Sequence, residues 1–175
     1  TAANKYIAET LKPAIGDGIA ANIIQPSEKA IVLQNSGGEI KMLYSSSKGV
    51  LQIRPKSENN PYAFTINGKS SYRGDLEIRR QQGSDMTVIN ILPIDQYLYG
   101  VVPSEIQASS HPEALKAQAV AARTYAMAHM GKYAHIGFDL CTTTLSQVYK
   151  GLSNEDPRTN KAVDETSGVK ITYNG

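Results

Sequence analysis

Pro93-Ile-Asp-Gln-Tyr-Leu-Tyr-Gly100 and, beyond a short connector, Pro112-Glu-Ala-Leu-Lys-Ala-Gln-Ala-Val-Ala-Ala-Arg-Thr-Tyr-Ala126 decide the fold. The first stretch reads as one or two helical turns, opened by a proline and stopped by a glycine. The second is the body of a long helix. Ser110 with Glu113 makes a capping box, Pro112 suits the first turn, and Gly131 is placed to end the helix. Leu115, Ala119, Ala122, Ala126 and Met130 fall on one stripe, the expected buried face. So many alanines imply a close approach to whatever this helix packs on.

Upstream the pattern turns to short apolar, β-branched runs at residues 19–24, 30–34, 40–44, 50–53, 62–66, 76–79 and 86–92. They recur about every ten residues, and turn signals such as Asn67-Gly68 separate them. Residues 1–12 read as a short helix or a strap. Downstream, residues 157–167 read as a second, shorter helix ended by Gly168. Residues 169–173 alternate like a strand and run into Asn174-Gly175, a hairpin signal with no returning strand. The expected class is therefore α+β: a β-rich N-terminal part, then the long alanine-rich helix and the shorter one flanking a cleft. A C-terminal portion is read as missing.

Hydrophobic residues make up 41% of the 175 and charged ones 19%, enough for a real core in one domain or one domain with an appendage. The net charge of +2 is too mild, and basic runs too short, to argue for nucleic acid. Ten tyrosines against two phenylalanines and no tryptophan suit polar surfaces, sugars included, or the rims of β-sheets. Cys141 stands alone, so an internal disulfide or a thiol cluster within one chain is excluded. The chain opens at Thr1 with no initiator methionine and no apolar run of membrane-spanning length. It reads as a trimmed or mature piece whose membrane anchor lies elsewhere.

Glu105 follows Pro103 and Ser104 in the expected connector, with Val101, Val102 and Ile106 around it. A carboxylate framed by apolar residues and a rigid proline is a candidate general acid. On spacing alone it reads as readily as a solvated or helix-capping glutamate. Lys116 and Arg123 are seven apart, hence on one side of the long helix with Val120 between them. They are placed to face a cleft, or else a solvated helix face. Tyr125 lies close by, where its ring could stack on a sugar or simply pack. His111, His129 and His135 have no metal-ligand spacing with one another or with Cys141. No G-x-S-x-G elbow and no phosphate loop occurs.

Leu92-Pro-Ile-Asp-Gln-Tyr-Leu-Tyr-Gly-Val-Val-Pro-Ser-Glu105 resembles the signature of the stage II sporulation protein D family, also called SpoIID/LytB domains. Glu113-Ala-Leu-Lys-Ala-Gln-Ala-Val-Ala-Ala-Arg-Thr-Tyr-Ala126 extends the likeness. So do Tyr72-Arg-Gly74, Asp139-Leu-Cys141 and Gln147-Val-Tyr149. The resemblance divides the chain into a β-rich lead-in, residues 1–70, and a core, residues 71–175, incomplete at its C-terminal end. It implies a lytic transglycosylase that cuts peptide-stripped peptidoglycan glycan strands and leaves 1,6-anhydro-N-acetylmuramic acid ends. Glu105 falls on the family's catalytic glutamate. Lys116 and Arg123 fall on cations tied to activity, and Ser104, Tyr125, Gln147 and Tyr149 complete the implied substrate-binding set.

The resemblance also implies a partner amidase of the stage II sporulation protein P type. The implied location is extracytoplasmic, at the sporulation septum or cell wall, with membrane attachment through an anchor in the full-length protein. Many members carry Cys-x-Thr-Thr-His-Cys-Gln after the long helix, and some bind zinc there. Here the segment is Cys141-Thr-Thr-Thr-Leu-Ser-Gln147, so no metal and no cofactor is expected. The competing expectation is a non-catalytic amidase enhancer or cell-wall-binding protein of the LytB type.

Overall fold

The period-two runs of the N-terminal half form short antiparallel strands. In the computed structural model, residues 30–34, 40–45, 50–54, 63–66, 70–80 and 86–174 are described, and the chain divides into two compact units, Thr1–Gly49 and Val50–Gly175. In the first unit, β1 (Ala30–Gln34) pairs with β2 (Ile40–Ser45), Ala30 opposite Ser45, with an irregularity between Leu33 and Gln34. The run at 19–24 and the segment 1–12 lie outside the described residues.

The second unit holds β3 (Val50–Ile53), β4 (Ala63–Ile66), β5 (Ser70–Arg73), β6 (Asp75–Arg80) and β7 (Met86–Ile91). β6 is the middle strand of the sheet β3-β6-β7, and β4 pairs with β5. β5 was not expected, because Ser-Ser-Tyr-Arg carries no apolar alternation. Cross-strand pairs supply what propensity lacks: Thr65 and Ser71 share a hydroxyl hydrogen bond of 3.1 Å, and Phe64 stacks on Tyr72 at 5.7 Å. Gly74 joins β5 to β6 at φ +81, where a Cβ would come within 2.2 Å of the Ile91 carbonyl oxygen. Asn90 holds that bend by donating to the Arg73 and Asp75 carbonyls at 2.7 and 3.2 Å.

The compact units divide between Gly49 and Val50. β3 is paired in register with β6, and Tyr72 of β5 packs on the helical core, so these strands belong to the same unit as the helices.

Three helices complete the unit: α1 (Ile94–Glu105), α2 (Pro112–Ala128) and α3 (Pro157–Glu165). Gly100 does not stop α1. It is buried, and a Cβ there would sit 2.5 Å from the Tyr149 ring, so the glycine makes room rather than an end. Pro103 falls inside the last turn, where only one helix hydrogen bond is lost to its missing N–H. Glu105 is therefore the final residue of a helix and not part of a connector.

α2 begins at Pro112 as expected, but its cap is His111, whose ring accepts from the Glu113 amide at 3.3 Å, and not Ser110. Met130 is 61% exposed beyond the helix end, which removes it from the expected buried stripe; Leu115, Ala119, Ala122 and Ala126 are buried. α3 is capped by Asp156, which accepts from the Arg158 amide at 2.8 Å. Residues 169–173 form no strand. The Val169 carbonyl accepts from Arg123, and the Ile171 amide donates to Thr124 Oγ1 at 2.9 Å, so side chains of α2 hold this segment.

Leu98, Val101 and Val102 of α1 meet Ala119 and Ala122 of α2, Val163 of α3, and Tyr149 in one core. Each large apolar side chain there contributes about 1.5–3 kcal/mol. The alanines of α2 let the helices approach closely. The fold is α+β.

Candidate active site

Glu105 ends α1 with its side chain exposed, and its carboxylate has no hydrogen-bond or ion-pair partner among the described residues. Its charge acts on Tyr97, earlier on the same helix. Burial, first, and then the negative charges available to Cys141, Tyr125 and Glu105 push the Tyr97 phenol above its ordinary range. Its proton therefore stays bound at any physiological pH. The Tyr97 hydroxyl donates to Gln147 Oε1 at 3.4 Å, and its ring lies 5.1 Å from that of Tyr149. Gln147 is only 7% exposed and donates through Nε2 to the Ala122 carbonyl at 3.3 Å, which pins its acceptor oxygen toward Tyr97. Tyr125 stacks on His129 at 4.0 Å, one turn further along α2.

Cys141 borders the same neighbourhood. Burial pushes its thiol up, but hydrogen bonds from Ser146, Thr143 and Tyr133 favour the thiolate and bring it down to about 6. A cavity of about 530 Å³ opens between β7 and the segment carrying Phe138 and Cys141, with Tyr97 and Tyr149 in its wall. Glu105 does not line that cavity.

The structure pairs both cations within the fold. Arg123 is 1% exposed, and its guanidinium is fully committed. It binds Asp95 at 2.9 Å and donates to the Val163 and Val169 carbonyls, both at 3.1 Å. A polymer cannot reach it, so its place is structural: it ties the start of α1 and the end of α3 to α2. Lys116 bridges Glu113 at 3.0 Å and Glu165 at 2.9 Å, and those carboxylates, Glu165 first, hold its ammonium above the ordinary lysine range. The two cations do share one side of α2, as their spacing predicts. That side faces α3, however, and neither cation pairs with Glu105.

Ser104 and Tyr149 also take structural partners. The Ser104 hydroxyl donates to the Gly100 carbonyl at 3.3 Å and accepts from Asn154 Nδ2 at 2.9 Å. Tyr149 is 6% exposed, and its hydroxyl donates to Asn90 Oδ1 at 3.0 Å. Its ring backs Tyr97 from the core side. Tyr97 itself was missed because the helix was expected to stop at Gly100. It precedes Glu105 by eight residues, a little over two turns and about 12 Å of rise along α1.

Among the described residues, no three of His, Cys, Asp and Glu are grouped so as to hold a metal ion. No described helix is long and apolar enough to cross a membrane.

Compared with known proteins, residues 82–173 match the model of the SpoIID family, described as stage II sporulation protein. The chain belongs to the SpoIID family. An uncharacterised protein of Brachyspira hyodysenteriae is 42% identical over 113 residues, covering 64% of this chain and 30% of that protein. The amidase enhancer of Bacillus subtilis is 37% identical over 126 residues, 71% of this chain and 17% of that protein. Stage II sporulation protein D of Bacillus subtilis is 38% identical over 106 residues, 52% of this chain and 31% of that protein. The chain thus spans less than a third of the length of each of these relatives. No solved structure matches it.

Proposed function

We propose that this domain is a peptidoglycan lytic transglycosylase in which Glu105 is the acid and then the base. The observation that carries the reading is the state of Glu105. It is an exposed carboxylate without a partner among the described residues, at the C-terminal end of α1 and of the family signature. The proposed reaction uses this one carboxylate. Hydrolysis by the common two-carboxylate routes needs a second, to activate water or to attack carbon. Transglycosylation does not. Glu105 would protonate the glycosidic oxygen as the bond to C1 of N-acetylmuramic acid breaks. It would then take the proton from the C6 hydroxyl of the same sugar as that oxygen bonds to C1. The nucleophile is tethered a few bonds away, which supplies the proximity that a separate base and water would otherwise have to provide.

Glycan strands freed of peptide by a stage II sporulation protein P-type amidase are the proposed substrate. The proposed place of action is outside the cytoplasm, at the septum or wall, with membrane attachment through an anchor in the full-length protein. The relative named amidase enhancer, aligned over 71% of this chain, supports a second reading in which the domain binds wall or an amidase without cutting. Incubating purified peptide-free strands with the wild type and Glu105→Gln, then identifying the products by mass spectrometry, separates the two. Anhydro-ended fragments from the wild type and none from the variant are expected. Intact strands after incubation with folded wild-type protein would favour the enhancer reading.

A further inference from the structure

Glu105 has no partner among the described residues, so its carboxylate is placed by the backbone that carries it. That backbone is the last turn of α1, where a helix is weakest because its closing carbonyls lack intrahelical partners. Pro103 takes one more hydrogen bond from this turn, and at Ile106 the chain leaves the helix in an extended conformation. Ser104 compensates. Its hydroxyl donates back to the Gly100 carbonyl at 3.3 Å and accepts from Asn154 Nδ2 at 2.9 Å. Among the described residues, the bond to Asn154 is the one side-chain hydrogen bond that ties residues 103–106 to another element.

Asn154 stands on a fixed support. It ends a single 3-10 turn, Leu152–Asn154, in which the Asn154 and Glu155 amides donate to the Gly151 and Leu152 carbonyls at 3.3 and 3.2 Å. Glu155, the next residue, takes two hydrogen bonds from Arg73 of β5, at 2.6 and 2.7 Å, and one from Asn160 of α3 at 3.0 Å. A two-point pair of arginine with carboxylate fixes orientation as well as position. The turn is thereby fastened to β5 and α3, and the Asn154 amide reaches from it to Ser104.

We propose that Asn154 is a positioning residue for Glu105: through Ser104 it holds the last turn of α1, and the acid with it, against the frame made by β5 and α3. The proposal rests on Glu105 being the acid and deepens that reading by naming what aims it. Ser104 then serves the reaction through this anchor and not by touching the strand. An acid must lie within hydrogen-bond reach of the glycosidic oxygen, so a loosened turn costs rate rather than binding.

Asn154→Ala and Ser104→Ala, alone and together, test this on peptide-free strands. Each is expected to lower kcat about tenfold, short of the about 100-fold that a misplacement of about 1 Å costs, with KM unchanged. The double variant should lose no more than either single one, because both cut the same link. In the free protein, hydrogen exchange of the Ile106 amide, which donates to the Val102 carbonyl at 3.1 Å, should quicken about fivefold in both, more than at Leu98 or Val101. Full kcat in a folded Asn154→Ala protein overturns the proposal. So does unchanged Ile106 exchange, and so do losses that multiply in the double variant, which would put Ser104 at the strand. Folded wild type that cuts no strand sinks the transglycosylase reading instead, and Ile106 exchange then still decides whether Asn154 holds the end of α1.

Discussion

The two flanks of the α1–α2 pair carry similar residue types and treat them in opposite ways. On the flank facing α3, charges are neutralised within the fold: Arg123 is sealed against Asp95 and two carbonyls, and Lys116 is shared between two glutamates. Around Tyr97 and Gln147 the polar groups are only loosely paired, and Glu105, at the end of α1, is left without a partner among the described residues. A charge held in a well-made ion pair stabilises a structure and is lost to chemistry. A carboxylate left free beside fixed donors is available to a substrate, and that availability is what general acid catalysis requires.

The largest effect that can break this contrast is at Glu105. Glu105→Gln should reduce the rate of glycan cleavage by about 10²–10⁴-fold, the usual contribution of a positioned acid–base group, with an unchanged urea midpoint. Retained cleavage would move the chemistry elsewhere. Arg123→Met comes next, and should act on the other axis. It leaves Asp95 with Ser167 as its remaining donor, at 2.5 Å, and should cost about 3 kcal/mol in urea unfolding. Glycan affinity per folded molecule should not change; a specific loss of affinity in a stable variant would put Arg123 back at the substrate.

Cys141 sharpens the comparison without touching either charge cluster. Its alkylation rate should rise with pH through a midpoint of about 6, and Ser146→Ala should move that midpoint upward by removing the leading hydrogen bond that favours the thiolate. A midpoint near the ordinary thiol value would mean that those hydrogen bonds do not form. The smallest effect belongs to Lys116→Gln, which should leave glycan affinity and cleavage within experimental error. A tenfold drop there would mean that Lys116 leaves its glutamates to meet the strand.

Much of this was legible in the residues. Apolar alternation located β1, β3 and β7 almost to the residue, and capping and alanine patterns located α2. The misreadings share a physical cause: they turn on what a residue meets across the fold, which local pattern does not carry. Gly100 looks like a stop signal until the Tyr149 ring is seen to occupy the space of its missing side chain. Residues 169–173 alternate like a strand, yet their backbone groups are bound by Arg123 and Thr124. The spacing of Lys116 and Arg123 correctly put them on one side of α2, but it does not say whether that side meets a ligand or another helix. Glu105 was found through its motif, and the structure adds that it ends α1.

The central claim is that the leaving bond is replaced by one from within the same sugar. Digesting peptide-free strands in water labelled with heavy oxygen tests it directly by mass spectrometry of the new ends. Transglycosylation predicts anhydro ends, lighter than reducing ends by one water and free of the label. New reducing ends carrying the heavy oxygen would mean that water is the nucleophile, and would contradict it.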